Sequence, residues 1–125
     1  MGLQKSGSTW TAIAHITQGL NLGQTYTVTD TNGTYGTAGA SYTASADGLR
    51  NLTGQINSDG SYTLYAVTST VSNSLGTTFD AGADSNQLVK ITLSVNGSAV
   101  ATSGFTVMQT APYGQVLRGV AMTSR

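Results

Sequence analysis

Two arginines lie at matching positions of two similar short segments and are candidates for binding an anion or a sugar hydroxyl. Arg50 belongs to the sequence LRNL at 49–52, and Arg118 belongs to LRGV at 117–120. The guanidinium group carries N–H donors in a planar fork, which suits carboxylate, phosphate and hydroxyl ligands. The alternative is that both arginines hold a neighbouring loop or carbonyl group in place.

Four tyrosines form a second set of candidate ligand-binding residues. Tyr26, Tyr35 and Tyr42 lie in a stretch rich in Gly, Asn, Ser and Thr over residues 18–46, and Tyr113 lies in the last turn. Tyrosine gives rigid amphipathic contact area, while small polar neighbours give adaptable hydrogen bonding, which is the composition of a recognition surface. Tyrosines that simply tolerate solvent on loops are the alternative.

No group of residues has the types and spacing of a catalytic or metal centre. His15 is the only histidine, and no acid or nucleophile stands in an identifiable relation to it, as triad chemistry requires. Asp80, Asp84 and Asn86 could offer oxygen ligands to Ca²⁺, but their spacing differs from that of a calcium-binding loop and the chain contains no glutamate. A capped turn is therefore favoured there. We expect no enzymatic activity, no cofactor and no bound metal.

The elements that must position these residues are β-strands. Apolar residues alternate over 52–56 and again over 62–67, and NSDG at 57–60 has the residues of a tight turn. This is the clearest hairpin in the sequence. Further strands are predicted at 3–5, 9–17, 26–29, 87–95, 105–110 and 116–122.

Composition excludes several classes of partner. The 125 residues carry a formal net charge of zero and only 8% of them are charged, so no basic stripe exists to neutralise a nucleic acid backbone. No apolar run approaches the roughly 20 residues that a helix needs to span a membrane. The chain has no cysteine, and its richness in Ser, Thr, Gly and Asn is typical of an exported bacterial protein. We therefore expect an extracellular or cell-surface location.

Three sequence features recur in the same order along the chain, which indicates an internal repeat. A Leu-x-Lys segment occurs at 3–5 and 88–90, an aromatic residue followed by alternation occurs at Trp10 and Phe105, and the two arginine segments follow. These echoes predict strands C and D, an insertion, strands A, B, C and D, and a final strand A. Trp10 matches Phe105 and is therefore expected to pack in a core or between repeats.

Five segments carry the repeated strand signature: LRNLTG at 49–54, TLYAVTS at 63–69, NQLVKI at 86–91, FTVMQTA at 105–111 and LRGVA at 117–121. Together they resemble the blade motifs of large secreted or surface-associated β-propeller proteins of bacteria and plants. The resemblance implies an all-β chain of four-stranded blades of β-propeller type, about two in number, in an incomplete ring. A β-sandwich with the same strands is the structural alternative.

The resemblance also implies how the chain is divided. It predicts one all-β repeat domain over 1–125, with a partial blade at 1–17, an insertion at 18–46, and strand A plus a full blade at 47–122. Because units of this size cannot bury both faces alone, we expect self-association or missing neighbouring blades.

The predicted function is a non-catalytic repeat module that acts as a scaffold or binds a partner through the insertion and the neighbouring turns. The expected partner is a protein or a glycan, and neither a nucleic acid nor a membrane. A carbohydrate-binding, lectin-like oligomeric propeller is the alternative function. A propeller-family hydrolase is a third candidate, for which no acid, base and nucleophile set converges in the sequence.

Overall fold

The computed structural model describes residues 2–72 and 84–123, in which every regular element is a β-strand. The strands of this described part are β1 (Gly2–Ser6), β2 (Thr9–Ala14), β3 (Thr25–Thr29), β4 (Ser41–Ile56), β5 (Tyr62–Ser72), β6 (Gln87–Asn96), β7 (Ala99–Thr102) and β8 (Thr106–Thr110). The all-β prediction is confirmed. Asp80, one of the candidate calcium ligands, lies outside the described residues.

Six of the strands form one antiparallel sheet that curls into a half-barrel. Their order is β3-β4-β5-β6-β7, and β8 pairs with the first half of β6 while β7 pairs with its second half. β1 and β2 form a separate two-stranded sheet, and β2 lies against β7. The eight strands of the described ranges all belong to these two sheets, and they do not form a closed ring of blades.

The hairpin predicted around residues 57–60 is confirmed as the β4–β5 ladder, in which Ile56 pairs with Tyr62. In its turn the N–H of Asn57 donates to the carbonyl of Ser61 at 2.7 Å, and Gly60 has a φ of +80°. Glycine reaches this left-handed conformation without a Cβ clash. The register sets Ile56 opposite Tyr62 and Gly54 opposite Leu64, so the apolar positions of the two strands share one face.

Two register shifts bend β4. One lies between Ala46 and Gly48, and the other lies between Arg50 and Leu52, where Asn51 has a φ of +51°. Asparagine tolerates the left-handed region better than most other residues with a side chain. Because bulges increase the local twist of a strand, these two shifts account for much of the curl of the sheet.

The core is small and lies against the inner face of the sheet. Leu20, Ala66 and Val89 form a buried cluster, and Phe105 packs against it. Phe105 is positioned where the connection before β3 crosses the connection before β8, because its N–H donates to the carbonyl of Gln18 at 2.8 Å. This crossing holds the aromatic ring over the buried cluster.

The strand predicted over 116–122 is wrong, since these residues are irregular. The N–H and carbonyl of Leu117 bond to the side chain of Asn86, and the carbonyl of Arg118 accepts a bond from Asn51. Each backbone group makes the bonds that its surroundings offer, and here amide side chains take the place of a neighbouring strand. We call residues 111–119 the tail segment.

The first half of the chain also differs from its sequence-based description. The strand predicted over 9–17 ends at Ala14, and Trp10, which was expected to pack, is 61% exposed in the single chain. The residues predicted as an insertion, 18–46, supply β3 and the start of β4. They are therefore part of the main sheet.

Candidate functional site

Two of the four candidate tyrosines meet at Ser85, a fully buried residue that precedes β6. The hydroxyl of Tyr26, on β3, donates to the carbonyl of Ser85 at 2.7 Å. The N–H of Ser85 donates to the hydroxyl oxygen of Tyr42, on β4, at 2.9 Å. Neighbouring strands thus bring both rings to one inner face of the sheet, where their hydroxyl groups are engaged by the protein.

Ser85 also ties the turn after β8 to this pair of tyrosines. Its hydroxyl donates to the carbonyl of Pro112 at 2.6 Å, so its single proton is used there and the Tyr42 hydroxyl donates to Ser85 Oγ at 2.6 Å. The ring of Tyr113 lies 5.0 Å from the ring of Tyr42 between centroids, at an interplanar angle of 53°. Tilted aromatic pairs at this separation are favourable, so Tyr113 is held as well.

The loop that carries Tyr35 is organised by the buried carboxylate of Asp30. Its two oxygens accept bonds from the N–H of Thr34 at 2.9 Å and from the N–H of Tyr35 at 2.8 Å. These backbone donors, that of Tyr35 first, hold the pKa of the Asp30 carboxyl below its ordinary value. The loop contacts therefore persist above the ordinary pKa of a carboxyl and are lost as the pH falls through the lowered one.

Tyr35 faces the same turn as Tyr113. A Cβ atom at Gly114 would lie 2.8 Å from Cγ of Tyr35, and the side-chain amide of Gln115 donates to the Tyr35 hydroxyl at 3.2 Å. Tyr35 is nonetheless 53% exposed. Gly114, with a φ of +70°, is therefore required both by its conformation and by the ring beside it.

The loop and the turn enclose an open cleft of about 130 Å³, which we call the tyrosine cleft. It is lined by Thr29, Asp30, Thr31, Asn32, Thr34, Tyr35, Pro112, Tyr113 and Gln115. Because the Asp30 carboxylate is occupied by backbone donors, the lining presents hydroxyl, amide and aromatic groups to solvent. Such a lining suits a neutral ligand that offers hydroxyl groups and an apolar face.

The two arginines lie elsewhere. Arg50 is exposed on β4, and Arg118 is exposed in the tail segment, where Asn51 donates to its carbonyl at 2.7 Å. The LRNL and LRGV segments therefore touch, but one is a strand and the other is irregular. Their matching positions in the sequence are not matching positions in the fold.

Asn86 is the residue whose importance the sequence did not reveal. Its side-chain N–H groups donate to the carbonyls of Thr68 at 2.9 Å and Leu117 at 3.0 Å, and its Oδ1 accepts the N–H of Leu117 at 2.7 Å. This side chain fastens the tail segment to the sheet. The sequence DSNQ at 84–87 predicts a capped turn, but it does not indicate which distant backbone groups the Asn86 side chain bonds to.

Burial, followed by the charges of Tyr42 and Asp84, raises the pKa of Tyr26 to about 12. The pKa of an unfolded tyrosine is about 10. Between the unfolded and the folded pKa the unfolded state therefore binds fewer protons than the folded state, and the free energy of unfolding falls as the pH rises. We therefore expect the advantage in Tm of the wild type over Tyr26→Phe to shrink across this range. Thermal unfolding followed by circular dichroism at a series of pH values measures it, and an advantage that stays constant would contradict the buried position of this hydroxyl.

The chain matches no known protein family, no curated protein and no solved structure. No long apolar helix able to cross a membrane occurs in residues 2–72 and 84–123, and this part of the chain holds no group of three His, Asp or Glu side chains suited to a metal ion. His15 is exposed just after β2.

Proposed function

We propose that the chain is a non-catalytic repeat module of β-propeller type that binds a partner through the tyrosine cleft. One blade-like unit supports the propeller assignment: β4, β5, β6 and β8 lie side by side as antiparallel neighbours, as the four strands of a blade do, with β7 between β6 and β8 in the chain. β3 and β7 are additions to that order. Turnover of an ester or a lactone that His15→Ala abolishes would contradict the non-catalytic assignment.

One observation carries the binding assignment: two segments far apart in sequence are locked around one solvent-open cleft. Residues 29–35 are held by the Asp30 carboxylate, and residues 112–115 are held through Ser85 and Tyr42. A cleft fixed by its own hydrogen bonds does not need to order its loops when a ligand binds. Binding surfaces are commonly built in this way, on loops that a rigid sheet positions.

Carbohydrate is the ligand class that this lining favours, so a lectin-like module is the second candidate function. The exposed ring of Tyr35 offers an apolar platform, and Asn32 and Gln115 offer amide groups beside it. Sugars combine apolar C–H faces with hydroxyl groups that donate and accept, which such a surface can match. Neither Arg50 nor Arg118 lines the cleft, so no cationic side chain there favours an acidic sugar over a neutral one.

We expect Tyr35→Ala to weaken glycan binding by about tenfold or more, because truncating a central aromatic contact commonly costs above 1 kcal/mol. A glycan array with the wild-type chain identifies the ligand, and calorimetry then compares the variants. Tyr35→Phe is the matched control: it keeps the ring, loses only the bond from Gln115, and should retain most of the affinity.

Two results would count against this assignment. Absence of binding to every glycan on the array would exclude the lectin-like reading. Glycan binding that Tyr35→Ala leaves unchanged would show that the tyrosine cleft is not the binding site.

A further inference from the structure

One face of the β4–β5 hairpin is apolar and uncovered near its turn. Leu52 is 60% exposed and Ile56 is 69% exposed, and the register places Tyr62 and Leu64 beside them on the same face. They line an open groove of about 370 Å³ together with Thr53, Gly54 and Gln55, and we call it the β4–β5 groove. None of its lining residues is charged. Contiguous exposed apolar surface of this kind marks an interaction site.

The edge of the sheet at this groove is also open. β3 pairs with β4 only over Ser41–Ser45, and over 52–56 no strand of the described residues pairs with the outer edge of β4. Unpaired backbone groups along a strand are a template for adding another strand. The groove therefore suits an extended segment that brings both backbone groups and apolar side chains.

The β1–β2 hairpin is a second unmatched surface in the same chain. Leu3 and Trp10 are both exposed on it, and within the described structure its two strands pair only with each other. Two-stranded hairpins are marginally stable in water without a partner surface. Its only charged residue is Lys5, whose ammonium lies 5.9 Å from the centre of the Trp10 ring.

The β1–β2 hairpin lies beside β7 at one end of the strand order, and the β4–β5 groove lies on β4 and β5, toward the other end. β2 contacts β7, and in the strand order β5, β6 and β7 all stand between this hairpin and β4. We propose that the β1–β2 hairpin of one copy of the chain docks on the β4–β5 groove of a second copy. The contact is head-to-tail, so repetition gives a ring where the rotation closes.

Charge agrees with this pairing. Asp59 lies in the turn at the end of the groove, where the hydroxyl and N–H of Ser61 both donate to its carboxylate. These bonds, that of the Ser61 hydroxyl first, lower the pKa of the Asp59 carboxyl, and Lys5 on the docking hairpin has the opposite charge. The inference rests on the proposed function only in treating the chain as an incomplete set of repeats, and it is independent of the tyrosine cleft.

Size-exclusion chromatography with light scattering on the full chain, over a wide range of concentrations, tests the contact. We expect the wild type to assemble beyond its monomer mass of 12.8 kDa. Ile56→Lys, which charges the groove, and Trp10→Ser, which removes the main apolar contact of the hairpin, should each raise the dissociation constant at least tenfold. Met108→Lys is the matched control, because it adds the same charge at an exposed apolar position on β8.

A mixture of the two variants gives the sharpest result. Ile56→Lys keeps an intact hairpin and Trp10→Ser keeps an intact groove, so together they should form a dimer that neither forms alone. A wild type that stays monomeric, or a mixture that stays monomeric, would overturn the proposal, and so would assembly of either variant as in the wild type.

Circular dichroism establishes that each variant folds, and Leu52→Lys replaces Ile56→Lys if the latter does not. Glycan binding by Ile56→Lys separates the two proposals. Loss of assembly with retained binding supports the docking contact, whereas retained assembly with loss of binding overturns it.

Discussion

Replacing Gly19 with alanine is expected to lower the free energy of unfolding by about 4 kcal/mol. Gly19 has a φ of +82°, and a Cβ atom there would lie 2.1 Å from the carbonyl oxygen of Phe105. The obstacle is backbone, so no side-chain rotation relieves it and the two crossing connections must separate. Phe105 would then lose its packing on the cluster of Leu20, Ala66 and Val89. Urea unfolding followed by far-ultraviolet circular dichroism measures the loss.

Gly23→Ala is the matched control for this prediction. Gly23 has a φ of +73°, and a Cβ atom there would meet nothing within 4 Å. Its alanine variant carries only the cost of a left-handed conformation, about 1 kcal/mol. Equal losses for the two variants would show that the crossing at Phe105 is not a tight contact.

Asn86→Ala is expected to lower the free energy of unfolding by about 3 kcal/mol, because three backbone groups, one buried and two half-buried, lose their partner. Two carbonyls, those of Thr68 and Leu117, and the N–H of Leu117 depend on this one side chain. The tail segment would also loosen, and with it the turn that carries Tyr113. We therefore expect weaker ligand binding at the tyrosine cleft together with the loss of stability, measured by denaturation and by calorimetry.

Gln87→Ala is the matched control, because it also removes an amide side chain at the start of β6 but breaks no bond to the tail segment. The side chain of Gln87 donates to Thr110 at an exposed position, at 3.2 Å. Its removal should cost about 0.5 kcal/mol and leave binding unchanged. If Asn86→Ala were as mild as Gln87→Ala, the tail segment would not be fastened by the Asn86 side chain.

The β4–β5 hairpin was predictable because its signals are local. Alternating apolar residues flank a turn of four favourable residues, so neighbouring positions suffice to identify it. The start of β4 over 41–46 was not predicted, since its inward positions include Ala44 and Ala46, which have little strand preference of their own. These residues become a strand because β3 pairs with 41–45 on one edge and β5 pairs with β4 from Ala44 onward on the other.

The tail segment shows the opposite failure. Residues 116–122 alternate as a strand should, yet their backbone bonds are made with Asn86 and Asn51. Side-chain partners that are distant in sequence leave no local pattern, so alternation alone could not exclude this outcome.

The candidate site was predictable in its residue types and not in its arrangement. Loop composition singled out Tyr26, Tyr35, Tyr42 and Tyr113, and the structure places all four around Ser85 and the tyrosine cleft. Their meeting depends on the Asp30 loop and on the path of the tail segment, which only the folded chain defines. Their role in binding a ligand stays a prediction.

The central claim is that the tyrosine cleft is assembled where the loop between β3 and β4 meets the turn after β8. Nuclear Overhauser measurements between aromatic rings test it most directly, because the Tyr42 and Tyr113 centroids are 5.0 Å apart. We predict cross-peaks between the protons of these two rings in the wild-type chain and their weakening in Asn86→Ala. Assigned ring resonances with no cross-peak between Tyr42 and Tyr113 would contradict the claim.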